Sequence, residues 1–216
     1  MITASASLPY RMYLAAYDAD QDKLYDRTRT AFLVQAAIFA ELLLSGYLTD
    51  AEGIAQVARD GGTGDPLLDA ILQNVASAKR SWKAHIRHGY KDSLHATEEG
   101  LVRRGELRQS RIRTLGLIPR QSTIALNPSS VRQLQGRLAS VLRGSEPASQ
   151  VDARDATAAA LAGYGRVPTV ITRKEARKRR DRVRELASAV RDLAPGLANA
   201  MEGISMTSVA AQGGSG

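Results

Sequence analysis

The stretch Gly62-Thr63-Gly64-Asp65-Pro66-Leu67-Leu68-Asp69 ends one structural unit and begins a helix. Its glycines predict a turn, because glycine reaches backbone angles that other residues avoid. Asp65 is a typical N-cap residue, and Pro66 loses nothing at a helical position where the amide hydrogen has no partner. The apolar residues that follow recur at helical spacing: Leu67, Leu68, Ile71, Leu72 and Val75. The stretch therefore predicts a capped helix over residues 66–86.

The segment before this turn predicts a buried helix. Residues 27–44 are apolar on nearly every side after Ala31, and a helix without a polar face packs in the interior of a protein. Gly46 follows as the residue that ends the helix. Residues 8–16 are apolar enough to form a short helix, and residues 47–57 alternate like a short strand pair. We therefore expect residues 27–44 to be the central, most buried helix.

Downstream of the turn, the pattern changes from helix to hairpin. Residues 91–104 predict a helix, and the apolar positions of residues 105–127 are spread among polar and turn residues, as in a β-hairpin. Three apolar residues lie near its tip: Leu115, Leu117 and Ile118. They cannot all point inward on a two-faced ribbon, so we expect at least one to be covered by another protomer or by a membrane.

The rest of the chain predicts four further helices, over residues 128–144, 152–161 and 173–193 and after Pro195. Gly163 and Gly165 stop the second of these, and Thr172 with Glu175 forms a capping box at the start of the third. The fold class is therefore mainly α, a single helical domain with short strands and a protruding hairpin. We expect that domain to span residues 8–211, between a disordered lead (1–7) and a flexible tail (212–216).

Composition narrows the range of partners. The 216-residue chain has a net charge of +8, which favours an anionic partner such as nucleic acid or an acidic membrane surface. The basic residues concentrate in residues 79–120 and 173–184, and the first of these segments straddles the helix and hairpin described above. Cysteine is absent, which excludes disulfides and cysteine metal sites. No signal pattern precedes Leu8 and no apolar run reaches the ~18 residues of a membrane span, so we expect a cytoplasmic protein.

Three motifs together resemble the Golgi phosphoprotein 3 family. They are ELLLSGYL at residues 41–48, TGDPLLD at residues 63–69 and GLVRRGEL at residues 100–107. The excess of arginine over lysine and the high alanine content suggest a bacterial-type member. The resemblance covers roughly residues 8–211 and implies a mainly helical domain with an apolar hairpin. It also implies a peripheral membrane protein that binds phosphoinositide headgroups and forms oligomers through the hairpin.

The resemblance also places a headgroup site beside the hairpin. The family has a tryptophan just before the central helix, where this chain has Asp26, and an arginine early in that helix, where it has Gln35. Two arginines of the later helix correspond to Lys91 and Leu94. Other basic residues nearby are available as substitutes. The candidate ligands of an anionic headgroup are Arg27, Arg29, Arg87 and Lys91.

Motifs that indicate catalysis are missing from the sequence. It has no nucleophile elbow, phosphate loop or dinucleotide fingerprint, so we predict a protein that is not an enzyme and needs no cofactor. His85 and His88 have a spacing that suits two metal bonds, but the basic residues around them favour a cationic helix face without a metal. Glu41 interrupts the apolar central helix and predicts either a hydrogen-bonded structural role or an acid in a pocket.

Two classes of function remain in competition. A basic face next to an apolar hairpin is a two-signal membrane attachment, which predicts an adaptor or regulator peripherally associated with acidic phospholipids. The alternative is a winged-helix-like nucleic-acid-binding regulator, because a helix followed by a hairpin also ends a winged helix. A DNA-binding wing carries basic residues at its tip, whereas Leu115, Leu117 and Ile118 suit a membrane or a protein. A third interpretation is a structural protein that binds only a protein partner.

Overall fold

The computed structural model describes residues 7–59, 61–112 and 120–204. Its helices are α1 Leu8–Ala15, α2 Arg27–Leu44, α3 Pro66–Ser77, α4 Trp82–Arg87, α5 Tyr90–Arg103, α6 Pro128–Arg143, α7 Ala153–Gly165, α8 Arg173–Lys178, α9 Arg180–Leu186, α10 Ser188–Leu193 and α11 Pro195–Glu202. Its strands form three antiparallel pairs: β1 Tyr17–Asp18 with β2 Lys23–Leu24, β3 Leu48–Ala51 with β4 Ile54–Val57, and β5 Leu107–Ile112 with β6 Arg120–Ala125. The mainly helical prediction is confirmed.

The centre of the fold is α2, as the sequence predicts. From Thr30 to Leu43 every side chain except Phe32 is buried, and α1, α5 and α7 pack around the helix. Asp26 caps its start by accepting a hydrogen bond from the Arg29 amide at 2.8 Å. In the described part of the chain, no helix combines the length and apolar character needed to cross a membrane.

The turn that begins α3 has the predicted cap. The Asp65 carboxylate accepts from the Leu67 amide at 3.0 Å, and Gly64 takes a positive φ of 81°. Thr63 closes the turn from the other side, because its amide and hydroxyl both donate to Asp69, at 2.6 and 2.7 Å. The stretch therefore places α3 against the end of α2 through a network of local hydrogen bonds.

Two predicted long helices are in fact divided. The helix predicted over residues 66–86 ends at Ser77, and Ser81 starts the separate helix α4 by accepting from the Ala84 amide. The helix predicted over residues 173–193 is three short helices, α8 to α10. Thr172 caps α8 as predicted, but the Glu175 carboxylate bonds the Arg143 guanidinium, so only half of the capping box forms.

The glycines of α7 do not stop it, contrary to the sequence-based prediction. The helix continues to Gly165, because both glycines serve close packing. A Cβ atom at Gly163 would lie 2.5 Å from the Val183 side chain, and one at Gly165 would lie 2.5 Å from Leu33. The α7 helix ends instead at Arg166, whose φ is 49°.

The predicted hairpin is formed by β5 and β6, with Leu107 opposite Ala125 and Ile112 opposite Arg120. Its base is tied to the bundle, because the Tyr17 hydroxyl donates to the Thr123 carbonyl at 2.6 Å. Leu115, Leu117 and Ile118 lie outside the described residues. The predicted lead, except Ser7, and the predicted tail lie outside them as well.

Candidate functional site

Arg87 and Lys91 flank one turn between α4 and α5. Gly89 makes this turn with a φ of 71°, and α5 begins at the next residue. Lys83 and Arg87 lie one helical turn apart on α4 and are both exposed, as are Lys79 and His88. We call Lys79, Lys83, Arg87, His88 and Lys91 the basic face. Within the described ranges, no carboxylate forms an ion pair with any of its five side chains.

The turn is fixed against the first half of α2. The Phe32 and Tyr90 rings stack with their centroids 4.1 Å apart. One turn further along α2, the Gln35 side-chain nitrogen donates to the His85 and His88 carbonyls, at 3.2 Å each. These contacts place the turn between Arg87 and Lys91 beside α2.

Arg27 lies at a different level of the same helix pair. Its guanidinium is 3.2 Å from the Glu98 carboxylate, and the Arg27 side chain is 60% exposed while that of Glu98 is 11% exposed. Glu98 follows Lys91 by seven residues on α5, which corresponds to about 10 Å along a helix axis. An anion held between Arg27 and Lys91 must therefore span that distance or draw Arg27 away from Glu98.

The Arg29 side chain contacts the end of α7. Its guanidinium donates to the Gly165 carbonyl at the end of α7 at 3.4 Å and lies 3.9 Å from Asp26. The side chain is only 15% exposed. The structure thus brings Arg87 and Lys91 to one turn, sets Arg27 at a separate level and directs Arg29 towards α7.

His85 belongs to the core and not to the basic surface. Only 1% of it is exposed, and its ring lies 5.4 Å from the Phe39 ring. Burial lowers the pKa of His85 below its usual value, and the nearby charges of Arg80 and His88 lower it further. The predicted cationic face therefore excludes His85, which is a neutral packing residue. Among the described residues, no group of three His, Cys, Asp or Glu side chains is arranged to hold a metal ion.

Trp82 packs beside His85 in the same layer. It is 1% exposed and meets the Phe39 ring edge to face at 6.0 Å. Trp82 is therefore a core residue.

Glu41 has the structural role that the sequence left open. Its carboxylate accepts from the Leu8 amide at 2.9 Å and the Ser45 hydroxyl at 3.2 Å, and it pairs with Arg154 at 2.8 Å. It borders a cavity of about 250 Å³, but these partners already satisfy its oxygens. Glu41 therefore ties the starts of α1 and α7 to the end of α2.

The family of this chain follows from a comparison over nearly its whole length. A family model described as Golgi phosphoprotein 3 (GPP34) matches residues 8–204. The chain belongs to the Golgi phosphoprotein 3 family. No curated protein matches it.

The motifs behind the resemblance have clear structural places in this Golgi phosphoprotein 3 family member. ELLLSGYL ends α2 and enters β3, TGDPLLD caps α3, and GLVRRGEL ends α5 and begins the hairpin. All three motifs mark boundaries between elements. They therefore indicate the family fold more directly than they indicate a ligand.

Several residues of the candidate site were missed by sequence reasoning. Glu98 neutralises Arg27, and the stacked Phe32 and Tyr90 rings join α2 to α5. Lys79 and Lys83 lie on the basic face together with the predicted Arg87 and Lys91. The sequence carried a signal for them, because they are among the basic residues around His85 and His88 that predict a cationic helix face. The pairing of Arg27 had no such signal, because it joins residues 71 positions apart.

Proposed function

We propose that this Golgi phosphoprotein 3 family member is a peripheral membrane protein that binds anionic phospholipid headgroups through its basic face. The observation that carries the proposal is the set of exposed cations around the α4–α5 turn that have no carboxylate partner in the described ranges. Cations that the fold does not use remain available to phosphate. Family membership supports the proposal, because the resemblance implied headgroup binding in this region.

The chemistry of binding rests on Arg87 and Lys91. A phosphate oxygen gains charge-assisted hydrogen bonds from both, and the planar guanidinium of Arg87 can bond two oxygens at once. Arg27 joins them when a headgroup draws it from Glu98. Because these cations are exposed to solvent, we expect salt-sensitive binding with little preference among headgroups, phosphoinositides included.

The hairpin provides the second part of the attachment in this proposal. Leu115, Leu117 and Ile118 would insert into the membrane or join two protomers, and the hairpin base is anchored to the bundle through Tyr17. Stable attachment usually needs two signals, one apolar and one electrostatic. An adaptor or regulator that reaches the membrane reversibly from the cytoplasm fits such a pair of signals.

The test is sedimentation with vesicles of phosphatidylcholine alone, with added phosphatidylglycerol, or with a phosphoinositide at equal charge. The variant is Arg87→Glu with Lys91→Glu, and the matched control is Arg177→Glu with Lys178→Glu, an exposed pair on α8. Each basic residue near an anionic surface contributes about 1 kcal/mol, so loss of two weakens binding roughly 30-fold. Because the variant reverses both charges and does not merely remove them, we expect at least this loss of binding. We expect the control to retain most of the binding.

Three outcomes would contradict the proposal. Equal weakening by both pairs means that the attraction comes from the net charge and needs no basic face. Equal binding to neutral and acidic vesicles removes the electrostatic signal. Tighter binding to duplex DNA than to any vesicle favours the nucleic-acid alternative.

The hairpin is tested separately by replacing Leu115, Leu117 and Ile118 with serine. We expect weaker vesicle binding or a smaller oligomer by light scattering, with the helical circular dichroism signal unchanged. Loss of that signal would mean that the three residues belong to the core.

A further inference from the structure

Gln35 is a buried polar residue in a helix that is otherwise apolar around it. It is 1% exposed, and its flanking residues Val34 and Ala36 are fully buried. Its side-chain nitrogen donates to two carbonyl oxygens, those of His85 and His88, at 3.2 Å each. A buried amide that bonds two backbone groups of another element fixes the position of that element.

Both acceptors lie at the C-terminal end of α4. The last carbonyls of a helix have no partner within the helix and need one from outside. At this end the His88 amide, one residue beyond α4, donates to the His85 carbonyl at 3.1 Å. Gln35 supplies the donors for this end, immediately before the glycine turn into α5.

The start of α5 is joined to α2 by a ring contact. No side chain caps the start of α5 at Gly89, and in the described structure the Phe32–Tyr90 stack is the ring contact that joins this start to α2. Arg87, His88 and Lys91 all lie within three residues of Gly89. Any shift of the turn therefore moves these three cations of the basic face together.

We propose that Gln35 is a positioning residue for the basic face: its side-chain amide holds the α4–α5 turn so that Arg87 and Lys91 point to the same anionic surface. The inference rests on the proposed function for its ligand, but its structural part concerns the turn alone. Gln35 itself is buried and does not touch the headgroup.

The chemistry of the residue makes a sharp test available. Methionine has nearly the same length as glutamine but no donor, so Gln35→Met removes both hydrogen bonds with little change in volume. An ionised carboxylate cannot donate and repels the carbonyl oxygens, whereas a protonated carboxyl can donate one hydrogen bond. Burial raises the pKa of a carboxyl introduced by Gln35→Glu, so it takes up a proton in mild acid.

The experiment measures amide exchange at residues 88–91 and binding to phosphatidylglycerol vesicles for wild type, Gln35→Met and Gln35→Glu between pH 5 and 8. The control is Gln133→Met, at an exposed glutamine of α6.

For Gln35→Met we expect exchange at the turn about 10-fold faster than in wild type and binding about 5- to 10-fold weaker at every pH. For Gln35→Glu we expect the same loss at pH 8 and recovery towards wild type at pH 5. Each value is taken relative to wild type at the same pH, which cancels the pH dependence that the variants share with wild type.

The outcomes separate this inference from the proposed function. Unchanged exchange in Gln35→Met overturns the positioning role, and so does faster exchange with unchanged vesicle binding. If wild type binds no vesicle, the proposed function fails, and exchange at the turn still decides whether Gln35 positions it. If Gln35→Met loosens the whole chain, recovery of Gln35→Glu at pH 5 supports the inference, and failure to recover contradicts it.

Discussion

The two basic segments of this chain, residues 79–120 and 173–184, use their cations differently. In residues 173–184, the Arg179 guanidinium donates to the Arg143 carbonyl at 3.0 Å and Arg182 donates to the Val141 carbonyl at 3.3 Å. Arg184 pairs with Glu202 at 2.6 Å. The basic face around Arg87 makes no such bonds within the described ranges. Charge density in a sequence therefore does not show whether the charge is available to a partner.

The reason for the difference lies at the end of α6. That helix stops at Arg143, and its last carbonyls need donors. Helices α8 and α9 have only six and seven residues, and helices this short are marginal without tertiary contacts. Arg179 and Arg182 meet both needs, because they cap α6 and hold α9 against it. At the end of α4, the neutral side-chain amide of Gln35 donates to the carbonyls instead. The cations of the basic face are therefore not used to cap this helix.

The largest expected difference between the two segments is in how much their arginines contribute to the free energy of unfolding. Arg179→Ala with Arg182→Ala removes the charged donors from the end of α6, and the Arg182 side chain is only 10% exposed. Hydrogen bonds from charged groups contribute about 1.5–3 kcal/mol each, and water replaces part of that at a surface. We expect a loss of about 2–4 kcal/mol in the free energy of unfolding, measured by urea denaturation.

The control for this measurement is Arg177→Ala with Lys178→Ala, which removes two exposed cations of the same segment. We expect this pair to change the free energy of unfolding by less than about 0.5 kcal/mol. If the two pairs destabilise equally, the bonds to α6 carry no special weight and the comparison between the segments fails.

The second effect is a difference in pH response. The lowered pKa of His85 disfavours its protonation in the folded state, so the unfolded chain binds more protons as the pH falls below 6.5. Stability near α4 is therefore lost as the pH falls from about 6.5 towards the folded pKa. In residues 173–184, the Arg143 guanidinium lowers the pKa of Glu175, and Arg182 lowers the pKa of Glu185, the residue just after the segment. Those ion pairs contribute above pH 4.5 and are lost only as the pH falls through the lowered pKa values.

His85→Gln isolates the pH dependence that comes from His85, because the glutamine side chain does not take up a proton in this pH range. We expect wild type to lose more free energy of unfolding than this variant between pH 7 and pH 5, with both measured in urea. Every other titrating group is common to the two proteins and cancels in the difference. Parallel pH curves would show that His85 is not protonated differently in the folded and unfolded states.

Much of the fold could be predicted because its signals are local. The cap at Asp65, the glycine after α2, the buried face of α2 and the antiparallel hairpin all depend on residues close in sequence. The errors have a common cause in long-range packing. Gly163 and Gly165 were interpreted as helix stops, but the close approach of Val183 and Leu33 requires glycine there. The divisions at residues 78–81 and near Arg179 also arise where another element supplies hydrogen bonds.

The site was less accessible from sequence for the same reason. The basic residues around His85 and His88 predict a cationic helix face, and the structure places Lys83, Arg87 and Lys91 at exposed positions of two helices, α4 and α5. Whether a cation is free depends on its partners, and these are distant in sequence: Glu98 for Arg27 and Gly165 for Arg29. The assignment of Arg27, Arg29, Arg87 and Lys91 to a headgroup stays a prediction until vesicle binding is measured.

The smallest expected effect is also the one that tests the comparison most directly. Arg87→Glu with Lys91→Glu changes the net charge by −4 at positions that have no ion pair within the described ranges, so the contact that the fold loses is the one between the Lys91 ammonium and the Tyr90 ring, 5.9 Å from its centroid. Glutamate at position 91 lies in the first turn of α5, where a negative charge is favoured, whereas at position 87 it lies in the last turn of α4, where it is disfavoured. These terms oppose each other, and substitutions at such exposed sites change stability by less than about 0.5 kcal/mol. We expect a urea midpoint and slope equal to wild type, alongside the loss of vesicle binding. A loss above about 1 kcal/mol would mean that the basic face stabilises the fold as residues 173–184 do. Weaker membrane attachment could then not be assigned to lost headgroup contacts.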